Sequence, residues 1–344
     1  MDLMKFDDVI ASLKKKKRIP NLLIGNGFSI SYNPQIFSYN ALSEFIELSD
    51  DKELKSLFDI IKTSNFEQIM RELNLFIQLL ETFDPSSPVI EKMKTVSDKL
   101  KKRLIEAVES SHPEHVFFIP EDKINTCAKF LNIFTSSNGK IFSTNYDLLL
   151  YWVLMRSNNK ICIDGFGRDK EDGQEFVPAE EAVYSELRWG KYKKEQNIYY
   201  LHGALHIFDM YNEIIKQEYD GNNYLIEQIK KLMEKESYPI FVTAGNGDEK
   251  LNHIMHNYYL ANCYDSFCNI PGSLITYGFN FGEYDEHIIQ AINKAAKAKD
   301  FNKRLWSVYI GVYSEDDKKH IESIKSKFKC KVHIFDSKTA KVWN

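Results

Sequence analysis

The chain has 344 residues, with 45 Lys and Arg against 49 Asp and Glu and a formal net charge of -4. So even a balance argues against a general nucleic-acid binder, and 43% hydrophobic with 27% charged residues argues against a disordered chain. The length suits one large domain or two moderate ones; no apolar run approaches the ~18 residues of a membrane span.

The opening stretch, MDLMKFDDVIASLKKKKRIP, sets acidic residues ahead of its lysines and has no long apolar segment, unlike a secretory signal. The 5 cysteines, Cys127, Cys162, Cys263, Cys268 and Cys330, are scattered and form no CxxC pair, so no structural zinc or other metal is expected. An odd cysteine count without a leader fits a reducing, cytoplasmic setting.

Residues 5–15 have the spacing of a short amphipathic helix, and Pro20 precedes a strand over Asn21 to Ile24. This strand runs into LLIGNGFS, Leu22 to Ser29, in which an apolar run stops at Gly25. Gly25 and Gly27 permit close backbone approach, and Ser29 is placed to start a helix by accepting an amide hydrogen bond. The segment reads either as a tight turn after a buried strand or as a phosphate-binding turn. It is not GxGxxG, and no Lys-Ser/Thr pair follows to make a Walker loop.

From about Ala41 the period becomes helical. Phe66, Ile69, Leu73, Phe76 and Leu80 fall on one predicted helix face, and further helices are predicted over Val89 to Ser110 and Glu121 to Phe134. Roughly 95 residues thus separate the first strand from the next, far more than a βαβ crossover needs. We therefore expect a helical insertion over 40–136 within a single domain spanning 1–344. It would shield one face, offer a partner surface or wall a cleft.

The α/β pattern resumes with a strand at Ile141 to Ser143 followed by Thr144-Asn145-Tyr146-Asp147, then a helix over Leu148 to Arg156. Ile161 to Ile163 is a short strand candidate, and 164–196 is irregular, with aromatic Phe166 and Trp189. Ile198 to Leu201 forms a strand with His202-Gly203 at its carboxyl end. Helix is expected from Tyr224 to Glu236 and, with a break, from Lys250 to Phe267. Strands are expected at Pro239 to Thr243 and Ser273 to Tyr277, the latter leading into Gly278-Phe279-Asn280-Phe281. A helix over Glu286 to Ala298, a strand over Leu305 to Val312, a helix over 315–328 with a Ser314/Asp317 capping box, and a strand over Val332 to Phe335 complete the chain.

Strands separated by helices imply an α/β, Rossmann-like, largely parallel sheet with flanking helices and the large helical insertion. In such sheets ligands collect beyond the strand carboxyl ends, where GNGFS, STNYD, LHG and YGFNF all fall. Each element has a plainer reading. His202 could be a strand-end histidine held by backbone, Asn145 and Asp147 an Asx turn and helix cap, and Gly278 and Asn280 turn residues. His253 and His256 share a helix face without a complete ligand pattern, which favours a packing role over a metal site. In the trio Asp285, Glu286 and His287, Asp285 is expected to cap the following helix.

Taken in order, GNGFS, TNYD, LHG and YGFNF resemble the elements of the sirtuin family, and more closely its divergent bacterial sirtuin-like branch. GNGFS is similar to the sirtuin GAGxS element, TNYD to QNID, LHG to the segment carrying the catalytic histidine, and YGFNF to the late GTS/GxS element. The resemblance implies that Gly25, Asn26, Gly27 and Ser29 touch the phosphates or adjoining ribose of NAD+. It implies that Asn145 positions the nicotinamide ribose or a water, that Asp147 holds the carboxamide and that His202 is the catalytic base. Gly278 and Asn280 would line the cofactor pocket, with Asn280 standing where serine is usual and Tyr146 replacing an aliphatic residue. The four-cysteine zinc module and the peptide-binding segment of deacylating sirtuins are not recognisable. The resemblance therefore implies an NAD+ glycohydrolase, a hydrolase releasing nicotinamide and ADP-ribose, of the kind found in antiphage (antiviral) defence. The alternatives are an NAD or ADP-ribose sensing module with little turnover, an NAD-dependent protein deacylase, and a structural assembly partner. The expected partners are NAD+ and either a second copy of the chain or a defence-system protein, with no membrane and no direct nucleic-acid binding.

Overall fold

Short aliphatic strands alternate with amphipathic helices along most of the chain, and the resulting architecture is Rossmann-like α/β. The structure, a computed structural model, describes residues 3–34, 52–61, 66–113, 115–157, 159–210, 212–219, 221, 223–235, 237–242 and 247–344. In chain order the first elements are β1 (Met4–Lys5), α1 (Phe6–Lys15), β2 (Pro20–Ile24) and α2 (Gly27–Tyr32). Next come α3 (Lys52–Ile61), α4 (Phe66–Phe83), α5 (Val89–Ser111), α6 (Glu121–Thr135), β3 (Ile141–Ser143) and α7 (Leu149–Arg156). The middle of the chain holds β4 (Phe166–Gly167), β5 (Leu187–Trp189), β6 (Ile198–Tyr200), β7 (Gly203–Asp209), β8 (Ile214–Lys216), α8 (Leu225–Glu234) and β9 (Pro239–Phe241). The last part holds α9 (Gly247–His256), α10 (Tyr258–Cys268), β10 (Gly272–Tyr277), α11 (Glu286–Ala296), β11 (Leu305–Val312), α12 (Glu315–Ile324) and β12 (Lys331–Asp336).

Seven strands form a wholly parallel sheet in the order β1-β12-β11-β10-β2-β3-β6. From β2 the chain builds outward to β3 and β6 on one side, and later to β10, β11 and β12 on the other. The order therefore reverses between β2 and β10, which makes that junction the switch point of the sheet. The pairing register sets Tyr277, Ile24 and Ser143 side by side on one face, and Thr276, Leu23 and Phe142 on the other. On the first face Tyr277 meets Phe130 of α6, with ring centroids 5.9 Å apart. On the second, Phe142 meets Phe267 of α10 at 4.8 Å. Both faces are covered, which is why these strands read as continuous apolar runs.

A second sheet, antiparallel and ordered β4-β5-β8-β7-β9, has no counterpart in the pattern expected from sequence. The irregular stretch 164–196 contributes β4 and β5 to it, and Trp189 packs edge-on against Tyr259 at 5.4 Å. The predicted strand near 239 belongs to this sheet rather than to the parallel one. Ile161 to Ile163 is not a strand. Its Ile163 carbonyl accepts the amides of Asn197 and Ile198, ending the segment as a loop tied to the start of β6.

The helix expected over 250–267 is two helices, because Asn257 is extended and its side chain caps α10 by accepting the Leu260 amide at 3.1 Å. The Ser314/Asp317 capping box is present, and its helix ends at Ile324. In α4 the buried stripe runs through Ile69, Leu73 and Ile77, while Phe76 is exposed, so the helix is rotated from the face predicted with Phe76 in it. The expected insertion at 40–136 begins outside the described residues; within it α3 to α6 lie between β2 and β3 in the chain.

Three histidines, His202, His206 and His287, lie buried and neutral, with burial the main cause holding His202 and His206 well below the ordinary imidazole range. His287 is brought down to about 3 by burial and then by the Lys250 charge. An unfolded chain protonates them below the ordinary 6.5 and the fold does not, so their stabilisation is full above that pH and is lost on acidification. Each costs about 1.4 kcal/mol per pH unit as the medium becomes more acidic. Asp147 acts in the opposite sense. Burial raises its carboxyl from 3.8 to about 6, so its contribution is full below 3.8 and is lost as pH rises through 6.

His206 stacks on Tyr151 at 4.4 Å, and neither ring nitrogen has a hydrogen-bond partner among the described residues. His206→Phe should therefore keep or raise stability at pH 8 and make the loss of stability on acidification below pH 6.5 shallower. Urea unfolding across that range measures both; an unchanged acid slope would refute the assignment.

Candidate functional site

The strand-end turns are stitched to one another by the parallel ladder continuing past the strands. The Gly25 amide donates to the Tyr277 carbonyl at 3.0 Å, the Thr144 amide to Ile24 at 3.1 Å, and the Leu201 amide to Ser143 at 2.8 Å. The turns after β10, β2, β3 and β6 consequently lie in a row along one edge of the sheet. Three of them span the switch point and its neighbour.

The β2 and β10 turns interlock. The Gly27 amide donates to the Gly278 carbonyl at 2.9 Å. A Cβ on Gly27 would lie 2.5 Å from the Gly278 Cα, and one on Gly25 would lie 2.6 Å from the Gly278 oxygen. Gly278 itself sits at φ +66°, where side chains are rarely tolerated. The glycine pattern thus has a packing cause at this contact. Asn26 and Asn280 are exposed above it, and Gly27 and Gly278 are half-buried.

Ser29 does not cap α2. The helix starts at Gly27 after Asn26, and Ser29 lies inside it with its hydroxyl donating to Asp147 Oδ2. Asn145 Nδ2 donates to the same Ser29 oxygen at 3.0 Å, and the Asn145 amide donates to Ser143 Oγ at 3.0 Å. Asp147 Oδ1 accepts the Leu149 amide at 2.9 Å, satisfying one of the first amides of α7. Asn145, Ser29 and Asp147 therefore form one buried relay of hydrogen bonds that joins the β2 and β3 turns. The two Asp147 oxygens are engaged within the protein, so the plainer expectation of an Asx turn and helix start is met. A carboxamide-binding role would need one of these bonds to exchange.

His202 stands in the turn where the chain leaves the parallel sheet for the antiparallel one. Its carbonyl accepts the Val242 amide at 2.9 Å, Gly203 pairs with Phe241, and the Tyr146 hydroxyl donates to the Val242 carbonyl. These bonds hold the end of β9 under both the Asn145-Tyr146 turn and His202. The Tyr146 ring lies roughly parallel to the imidazole, with centroids 6.5 Å apart.

Sequence reasoning set His287 only within a polar trio. In the structure it meets His202, Nε2 to Nε2, at 2.8 Å. Asp285, expected as a helix cap, makes no capping bond and instead pairs with Lys250 at 3.2 Å. The signal that would have revealed His287 is a buried polar residue in the first turn of an otherwise apolar-striped helix. His253 and His256 end α9, where the His256 ring bonds the Asn252 carbonyl. Among the described residues no group of three or more His, Cys, Asp or Glu is placed to hold a metal ion. Among the same residues no helix is long and apolar enough to cross a membrane. A cavity of about 220 Å³ opens at the other end of β2, lined by Lys14, Arg18, Pro20 and Ile133 among others, and no residue of the strand-end turns lines it.

Fold and site define a Rossmann-like α/β protein with a polar, glycine-interlocked strand edge at its switch point. The chain belongs to the family described as a domain of unknown function (DUF4917), which matches residues 22–343. No curated protein matches it.

Proposed function

We propose that this chain is an NAD+ glycohydrolase that releases nicotinamide and ADP-ribose. The observation that carries the proposal is the row of four bonded turns at the strand carboxyl ends, with interlocked glycines at the switch point and His202 in the turn after β6, two strands from β2. By the resemblance, a dinucleotide diphosphate would lie over the first pair, where Asn26 and Asn280 are exposed, and a ribose over the second. The resemblance of the same four segments to sirtuin elements supports the same assignment of Gly25, Asn26, Gly27, Ser29, Asn145, Asp147, His202, Gly278 and Asn280.

Nicotinamide is cationic while bonded and neutral once it leaves, so its departure requires little acid assistance. The demand falls on the ribosyl cation, which needs orientation and a nucleophile. Asn145, fixed by Ser29, is the orienting group for ribose and water. His202, neutral through burial, is the base. Nicotinamide release from NAD+ by the purified chain, followed by chromatography, tests the proposal; intact NAD+ after prolonged incubation with bound dinucleotide would contradict it.

One feature favours a second reading, a sensor of NAD or ADP-ribose with little turnover. The Asn145–Ser29–Asp147 relay is buried and internally satisfied, an arrangement that costs a ligand some rearrangement before chemistry. Tight binding with no nicotinamide release would select this reading. Membership in antiphage defence and a protein partner belong with the glycohydrolase reading and rest on the resemblance, and a cytoplasmic setting rests on the scattered cysteines.

A further inference from the structure

The His202–His287 contact is unusual in what it demands. Two Nε2 atoms 2.8 Å apart share a single proton, so one ring donates and the other accepts. The rings are 4% and 0% exposed, and their planes differ by 29°. The contact commits His202 Nε2, so Nδ1 is the atom left to meet a substrate proton.

The surroundings disfavour a cation on either ring, and the base role of His202 then sets which neutral ring donates. Lys250, itself buried and held by Asp285, presents a positive charge to the pair. His287 is the second residue of α11, where the helix dipole disfavours a cation. Tyr264 from α10 donates its hydroxyl to the His287 carbonyl at 2.9 Å and fixes the backbone under the ring. Tyr146 covers the other side of His202. His287 Nδ1 is buried and has no hydrogen-bond partner among the described residues.

We propose that His287 is a positioning residue: it accepts the His202 Nε2 hydrogen and so fixes the tautomer in which His202 Nδ1 takes a proton. The proposal rests on the glycohydrolase reading of the site. In that reaction the C1′–N bond breaks with its electron pair passing to the pyridinium nitrogen. The water oxygen bonds to C1′, and a water proton passes to His202 Nδ1. The positive charge then on His202 is shared along the Nε2 hydrogen bond, and the proton leaves to solvent with the products. With the donor and acceptor exchanged, His202 Nδ1 would already carry a hydrogen and could accept nothing.

Histidine ¹⁵N spectra of the full chain, assigned with His202→Ala and His287→Gln, read the tautomers without any need for turnover. The expected result at pH 7 is His202 protonated at Nε2 and bare at Nδ1, with His287 bare at Nε2. In nicotinamide release, His287→Leu should lower kcat about 100-fold with KM within about twofold. His287→Gln, whose amide oxygen can accept the same hydrogen, should recover at least a tenth of the wild-type kcat. Circular dichroism identifies any variant that fails to fold, and the wild-type spectra remain decisive in that case. The reversed tautomers, or an unchanged kcat in folded His287→Leu, would overturn the proposal. The expected tautomers in a chain that releases no nicotinamide would support the positioning of His202 and overturn the NAD+ reading alone.

Discussion

His202→Ala is expected to lower nicotinamide release by about 10³-fold while the chain stays folded and still binds NAD+. The magnitude follows from removing a positioned base whose ring is neutral and whose orientation is set by its neighbours. His202 is anchored through its backbone, by the Val242 amide and the β6 ladder, so loss of the ring leaves the turn in place. Its removal also frees His287 from the shared hydrogen bond, which should raise rather than lower the acid tolerance of the fold. A rapid assay of nicotinamide paired with calorimetric NAD+ binding separates the two effects. Equal turnover in wild type and variant would remove His202 from the chemistry.

Gly278→Ala is expected to be a severely damaging small substitution at the site. The new Cβ would lie 2.5 Å from the Phe28 nitrogen and 2.6 Å from Gly27 backbone atoms, and neither is the end of a flexible side chain. The positive φ adds strain whatever the space. Relief requires the β2 and β10 turns to part, breaking the Gly27–Gly278 hydrogen bond and opening the switch point. We expect a loss of at least about 4 kcal/mol, in the range of severe single substitutions, together with loss of NAD+ binding. Gly173→Ala is the matched control: its φ is +83° but nothing lies within 4 Å of the added carbon, so about 1 kcal/mol is expected. Denaturant melts of the two variants make the comparison. Similar losses in both would show that strain alone, and not the contact between turns, accounts for Gly278.

Much of the parallel sheet was legible because its strands are buried on both faces. Leu22 to Ile24, Ile141 to Ser143, Ser273 to Tyr277 and Leu305 to Val312 read as apolar runs ending at polar turns, and the structure places strands there. The antiparallel sheet was illegible apart from β9, for a different reason. Its strands β4, β5 and β8 are two or three residues long, too short for an alternation to register. Phe76 misled because periodicity fixes a helix stripe only to within one residue, and Ile77 takes the buried position. The site was half legible: residue types at strand ends marked the turns, but their partners depend on approaches across the chain. Ser29 reads as a cap, yet its hydroxyl serves Asp147, 118 residues away. His287 lies 85 residues from His202, and its only local mark is a polar residue in the first turn of an apolar-striped helix.

A crystal structure of the His202→Ala chain grown with NAD+ examines the shared dinucleotide site most directly. The diphosphate is expected against the Gly25–Gly27 and Gly278 turns, with the nicotinamide ribose between Asn145 and the vacated imidazole position. NAD+ seated instead in the cavity beside Lys14 and Arg18, or strand-end turns left empty at saturating NAD+, would contradict it.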